Sequence, residues 1–151
     1  MKGMTNGIVV ATISMLLTGC FTPQLSISPD TTLTDYHVIS VDELEQLFED
    51  KTDFIVIKSL STCVFCQQLK PIMTEFVMNE SIPIYSITIY STAEENHPET
   101  TPGDYQTIST LLGGNSFPTM YVIDDGDVVA YGGVGGYTLE QFTETVLRYI
   151  D

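Results

Sequence analysis

The sequence predicts an α/β domain: a mixed sheet that begins parallel, ends in an antiparallel hairpin and carries helices on both faces. Three observations predict it. Short runs rich in branched residues alternate with amphipathic segments that open on capping signals. An Asp-Gly step, Asp125-Gly126, lies between two apolar runs near the C-terminus, a strong hairpin signal. The 151 residues suffice for one domain with a short appendage and exclude a second domain of enzyme size.

Taken in order, residues 36–39 are a short strand candidate. Ser40-Val41-Asp42-Glu43 is a capping box, in which the serine and the glutamate satisfy each other's free amides, and it opens an amphipathic helix over 41–50. Residues 53–60, DFIVIKSL, have the density of branched side chains of a strand buried on both faces. Helical spacing then runs from Cys63 to about Asn79, with Leu69, Ile72, Met73, Phe76 and Val77 on one side and Pro71 interrupting it. Residues 82–90 form a second buried strand. The stretch 91–104, STAEENHPETTPGD, is rich in proline and acid and reads as a long irregular loop. A helix over 105–112 closes on Gly113-Gly114, and strands over 117–123 and 128–131 flank the Asp-Gly turn. Thr138 and Gln141 stand in capping-box spacing at the head of a last helix reaching Ile150. The order is βαβαβαββα, a sheet wound with helices on both faces.

Twenty acidic residues against five basic ones give a net charge of −15, which opposes binding to phosphate backbones and excludes nucleic acid as a partner. The 43% apolar content supports a true core, so the charge is read as a solubilising surface on a monomer.

Three cysteines, at 20, 63 and 66, divide into one isolated residue and one close pair. The isolated one follows an apolar run of about ten residues, half the length of a membrane-spanning helix but suited to a secretory leader. Leu17-Thr18-Gly19-Cys20 resembles the bacterial lipoprotein leader, a branched apolar residue and two small residues before a cysteine. The resemblance implies that residues 1–19 are a signal peptide and that Cys20 carries lipid as the new N-terminus. Two acyl chains hold a protein stably to a membrane where one does not. Loss of Lys2 with the leader leaves a charge of −16. Residues 20–35 then read as the lipidated cysteine and a polar tether of roughly 50 Å at full extension, and residues 36–151 as the domain.

Cys63-Val64-Phe65-Cys66 falls where strand gives way to helix. A CxxC pair on a first helical turn closes a disulfide when oxidised. When reduced, its leading sulfur meets free amide N–H groups and the positive end of the helix dipole, which favour a thiolate. Cys63 is therefore the expected nucleophile and Cys66 the residue that resolves the mixed disulfide. A zinc site would need four ligands, and His37 and His97 lack the spacing to complete one. A four-residue structural loop would add little stability. His97 is expected to be exposed, and Gly132, Gly133, Gly135 and Gly136 to form a bulge or tight turn near the cysteines.

Residues 36–151 as a whole resemble the thioredoxin superfamily. Pro71 matches its helix proline, and Phe117-Pro118-Thr119 is similar to its cis-proline motif, which implies that these three residues meet substrate backbone as an added strand. Val64 and Phe65, between the cysteines, join them as substrate-contacting residues. The family's three-layer fold, a thiol-disulfide oxidoreductase activity and the absence of any organic cofactor follow as implications. There are departures. Thr62 and Val64-Phe65 replace the cytosolic thioredoxins' tryptophan and Gly-Pro, and Ile57 stands where their buried acid would be, while Lys58 beside it should face away. The span from Cys66 to Pro118 is also longer, with the excess in the 91–104 loop. Within the superfamily the strand leading into CVFC and the later Pro83-Ile84-Tyr85 resemble the bacteriocin transport accessory group. That likeness implies an exported protein with polypeptide thiols or disulfides as clients, and a cationic peptide containing a disulfide would suit its acidic charge electrostatically. The rival readings are a thioredoxin-fold adaptor of an export system and a Cu(I) chaperone, since soft thiolates suit that ion.

Overall fold

The computed structural model describes residues 22–94 and 97–151, so Cys20 and the expected leader lie outside the described residues. The elements are β1 (His37–Val38), α1 (Val41–Glu49), β2 (Phe54–Leu60), α2 (Val64–Glu80), β3 (Tyr85–Ile89), α3 (Pro102–Leu112), β4 (Thr119–Asp124), β5 (Asp127–Gly133) and α4 (Leu139–Leu147). They form one five-stranded sheet in the order β1-β3-β2-β4-β5. β2 pairs parallel with β3 and antiparallel with β4, which carries the closing hairpin. The alternation expected from the sequence is therefore present, and the central strand is the one with the densest run of branched residues.

Alternation along β2 divides the core. Ile55 and Ile57 point to one face, where Leu69, Met73, Phe76 and Val77 of α2 and Phe142 and Val146 of α4 cover them. Phe54 and Val56 point to the other, against Leu44 of α1 and Ile108 and Leu112 of α3. A strand buried on both faces needs two apolar layers, and the two helix pairs supply them.

The turns follow their residues. Asp125 and Gly126 have φ of 50° and 82°, the left-handed pair that a two-residue hairpin requires. A Cβ on Gly126 would meet the Phe48 carbonyl oxygen at 2.8 Å, so glycine is also needed for the approach of α1. Ser40 and Thr138 cap α1 and α4 in complete capping boxes.

Several expectations need correction. α3 begins at Pro102, because Thr101 and Asp104 form a capping box and proline is favoured in a first turn, where its missing N–H costs nothing. The preceding loop is not wholly irregular: Glu94 and His97 form an antiparallel bridge, and Thr100 bonds back to Tyr90. α2 continues unbroken through Pro71. The one register shift in the hairpin lies between Val122 and Ile123 rather than at the glycines, since Gly132 and Gly133 pair regularly with Met120 and Thr119.

The largest correction concerns the segment before residue 36, which was expected to be a free tether. Leu25 is fully buried in the α2 and α4 layer, with Ile27, Leu33 and Tyr36 packed against it. Its N–H donates to the Tyr149 carbonyl at 2.7 Å, and it forms a parallel bridge with Ile150. The Ser26 N–H donates to the Asp53 carboxylate at 3.2 Å, and the Asp30 N–H to the Ser81 carbonyl at 2.7 Å. The alternating apolar pair Leu25 and Ile27 thus covers the C-terminal end of α4, and α4 stops at Leu147 so that the last residues can meet it.

Candidate active site

Cys63 is the N-cap of α2, with extended backbone angles of −83° and 118°. The turn before it is tied down by its own N–H to the Leu60 carbonyl at 3.1 Å and by the Ser61 N–H to the Ile89 carbonyl at 2.9 Å. The Cys66 N–H donates to the Cys63 sulfur at 3.2 Å, and the sulfur's own hydrogen points to the Phe117 carbonyl oxygen at 3.8 Å. A sulfur that caps a helix receives an amide N–H that no other helix group uses, which stabilises negative charge on it. Both cysteines are free thiols, but their surroundings differ: Cys63 is half-buried, whereas Cys66 is 1% exposed. Burial pushes the Cys66 thiol up to about 11, and its hydrogen bond with Cys63 adds to the rise, while bonds with the Leu60 backbone and the Ser59 side chain act the other way. The outer sulfur is reachable and the inner one holds its proton.

Around the outer sulfur the two residues between the cysteines project into solvent, Val64 at 67% and Phe65 at 54% exposure. The Phe117-Pro118 peptide bond is cis. Pro118 is buried beside the pair, and its carbonyl accepts from the Val134 N–H at 3.1 Å. Gly135 fits between Pro118 and Phe65, so that a Cβ there would lie 3.2 Å from the proline Cδ and 3.4 Å from the Phe65 Cβ. Part of the glycine cluster therefore does make the turn flanking the cysteines. Phe117 is placed differently from the expectation for a substrate-contacting side chain. Its ring packs inward on the α1 and α3 layer, and only its carbonyl reaches Cys63. Thr119 is buried, with its hydroxyl turned back to the Ser116 carbonyl at 2.9 Å.

Two features below the pair complete the picture. Ile57 is fully buried on the cysteine side of β2, an apolar side chain that can accept no proton from Cys66. Lys58 faces the opposite layer, as strand alternation requires, and is 1% exposed. Sequence reasoning gave Lys58 no place in the site, although a lone charge inside an apolar strand was a signal that could have raised the question. His97 is exposed and stacks on Tyr90 at 4.6 Å. A cavity of about 310 Å³ near it, lined by Val38, Ile39, Tyr90 and Ile108, includes neither cysteine. Among the described residues no three His, Cys, Asp or Glu side chains converge as metal ligands.

This sheet order, with helices on both faces, matches solved thioredoxins. A thioredoxin mutant from Halobacterium salinarum NRC-1 superposes with a TM-score of 0.57 at 15% identity, over 78% of this chain and 93% of that one. The chain has the thioredoxin fold. The thioredoxin NaTrxh from Nicotiana alata gives a TM-score of 0.57 at 13% identity over 81% of this chain and all of its own. The thioredoxin from Aeropyrum pernix gives 0.55 at 19% identity over 72% and 82%. No family model matches the sequence, and no curated protein matches it. The thioredoxin fold is therefore carried here by apolar periodicity, caps and turns, and sequence identity to the solved thioredoxins contributes little.

Proposed function

We propose that this protein is a thiol-disulfide oxidoreductase that exchanges disulfides with exported polypeptides. The observation that carries the reading is the asymmetry of the pair: a reachable Cys63 sulfur holding the Cys66 N–H, beside a buried Cys66 thiol raised to about 11. Cys63 as thiolate attacks one sulfur of a client disulfide, forming a mixed disulfide and releasing the other client sulfur as a thiolate. Cys66 then loses its proton and attacks Cys63. That closes Cys63-Cys66 and frees the second client sulfur, so two electrons pass from the pair to the client. Run backwards, the same steps oxidise a client dithiol. Ile57 leaves the Cys66 proton without a buried acceptor, so in this reading resolution is the step that burial slows. The exposed Val64 and Phe65, with Pro118 between β4 and Gly135, give an unfolded client segment an apolar place to lie beside the sulfur.

The site of action in this reading is outside the cytoplasm, on a lipid at Cys20, as the leader-like Leu17-Thr18-Gly19-Cys20 implies, and the position of Leu25 sets how the domain would then sit. Ser26 and the Asp125 turn both bond to Asp53, just before β2, whereas Cys63 lies just after that strand. The chain thus enters the fold about 23 Å from the redox pole, the length of a seven-residue strand. Five residues from Cys20 to Leu25 span at most about 17 Å. A lipid at Cys20 would hold the domain close to a bilayer with its cysteines facing away. The charge, −16 once the leader with Lys2 is lost, favours neutral or basic clients, including cationic peptides that contain a disulfide.

The reading is tested by following disulfide exchange with a cationic disulfide peptide and a neutral one. Turnover lost in Cys63→Ser, with salt slowing only the cationic peptide, is the expected result. Turnover by neither peptide, or partner binding unchanged when both cysteines are replaced, would instead indicate an adaptor.

A further inference from the structure

Lys58 is the one deeply buried charge of the described fold, and the exchange mechanism above does not use it. It lies in β2 between Thr119 of β4 and Ile87 of β3, with its side chain directed away from the cysteines. Among the described residues no carboxylate pairs with it; the one ion pair, Lys51 with Asp125, is on the surface. An unpaired buried ammonium is costly unless its donors are satisfied, and here they are satisfied by backbone. Its Nζ donates to the Gly113 carbonyl and, at 2.7 Å, to the Gly114 carbonyl. The third donor faces aromatic rings, Phe117 at 5.4 Å and Tyr121 at 5.2 Å from their centroids. Tyr121 reinforces the tie by donating from its hydroxyl to the same Gly113 carbonyl at 3.0 Å.

Gly113 and Gly114 both have positive φ, 68° and 63°, and a helix has just ended there, so its last carbonyls have no partner within the helix. The loop that follows ends at Phe117 and Pro118, whose carbonyls face the Cys63 thiol and the Val134 N–H. Glycines with left-handed angles permit many paths, and something must select one. Lys58 holds the start of this loop to the central strand and packs beneath the Phe117 ring near its end.

We propose that Lys58 is a positioning residue for disulfide exchange, acting through the loop 113–118 by fixing the Phe117 carbonyl and Pro118 against Cys63. The inference rests on the exchange reading, but the clamp itself has a consequence that needs no activity. Lys58→Met keeps the apolar stem and removes the donors. Hydrogen exchange of the loop amides and of the Val134 amide in this variant should quicken on the order of tenfold or more, as loss of charge-assisted bonds predicts, with the α2 amides unchanged. KM for a peptide disulfide should rise by a similar factor. Alkylation of Cys63 by iodoacetamide, which needs the exposed sulfur and the Cys66 N–H of α2 more than the long and weak contact with the Phe117 carbonyl, should change less than KM and stay within about twofold of the parent. General destabilisation would instead alter all three readouts together.

Tyr121→Phe removes the second tie on Gly113 without touching the charge, and should show the same pattern at smaller size even where Lys58→Met folds poorly. Unchanged loop exchange in both variants, or an unchanged KM with a loosened loop, would overturn the proposal. A parent protein that exchanges no peptide disulfide while Lys58→Met still loosens the loop would remove the exchange reading and leave the clamp standing.

Discussion

The two faces of β2 carry opposite chemistry. Toward α2 lie Ile55 and Ile57, an apolar floor beneath the cysteines; toward α1 and α3 lie Phe54, Val56 and then Lys58, an amine whose pKa burial lowers, beneath the loop that leads to Pro118. Adjacent residues of one strand thus influence the site in different ways. The apolar side acts on the Cys66 sulfur by desolvation, keeping it protonated, and the basic side acts on backbone carbonyls. A buried carboxylate on the cysteine side would have served as a proton acceptor. This chain instead puts its buried charge on the other side, where it can shape the loop and cannot accept a proton from Cys66.

The comparison breaks most sharply if the apolar side is given a charge. Ile57→Asp places a carboxylate without a cationic partner on that face and should cost about 3–5 kcal/mol in urea unfolding, while the fraction that folds should resolve mixed disulfides faster. Resolution no faster than in the parent would show that a proton acceptor is not what the site lacks. Next in size is Leu25→Ala. If the cysteine-side layer includes the N-terminal segment, removing this fully buried side chain should cost about 2–4 kcal/mol; an unchanged urea midpoint would restore the free-tether expectation. On the other side of the sheet, Gly126→Ala meets both a φ of 82° and the Phe48 carbonyl, and should cost about 1–3 kcal/mol.

The smallest effect is a pH dependence of the reduced protein. Cys66 is raised from 9.0 to about 11 by burial, so the folded state keeps a proton that the unfolded state releases. The resulting stability is fully present below pH 9 and is lost as pH rises through about 11. Thiolate absorbance should place the second titration of the pair near that upper value, with the oxidised protein lacking the loss. A titration at 9.0 would mean that the floor under Cys66 is wetter than Ile57 and its neighbours suggest.

Much of this arrangement was legible in the residues. Capping boxes at Ser40 and Thr138, the Asp-Gly turn and the branched run in β2 each report a local preference that the fold keeps, and the CVFC pair announces itself by spacing. What was missed depends on distant partners. Leu25 and Ile27 make too short an alternation to mark a packed segment, and the residues they meet are more than a hundred positions away, at the end of the chain. Periodicity gave the face of Lys58 correctly but could not say that two glycine carbonyls would be waiting there. For Phe117 the motif indicated the position, yet not that its ring would turn inward and its carbonyl outward. Pro102 was misjudged because proline marks a loop and a helix start alike.

The central claim is that Cys63 attacks and Cys66 resolves, and mixed-disulfide trapping tests it directly. Incubated with a disulfide peptide and analysed by mass spectrometry, Cys66→Ser should accumulate a one-to-one adduct linked through Cys63, and Cys63→Ser should accumulate none. An adduct through Cys66 in Cys63→Ser, or no adduct in either variant, would contradict the account.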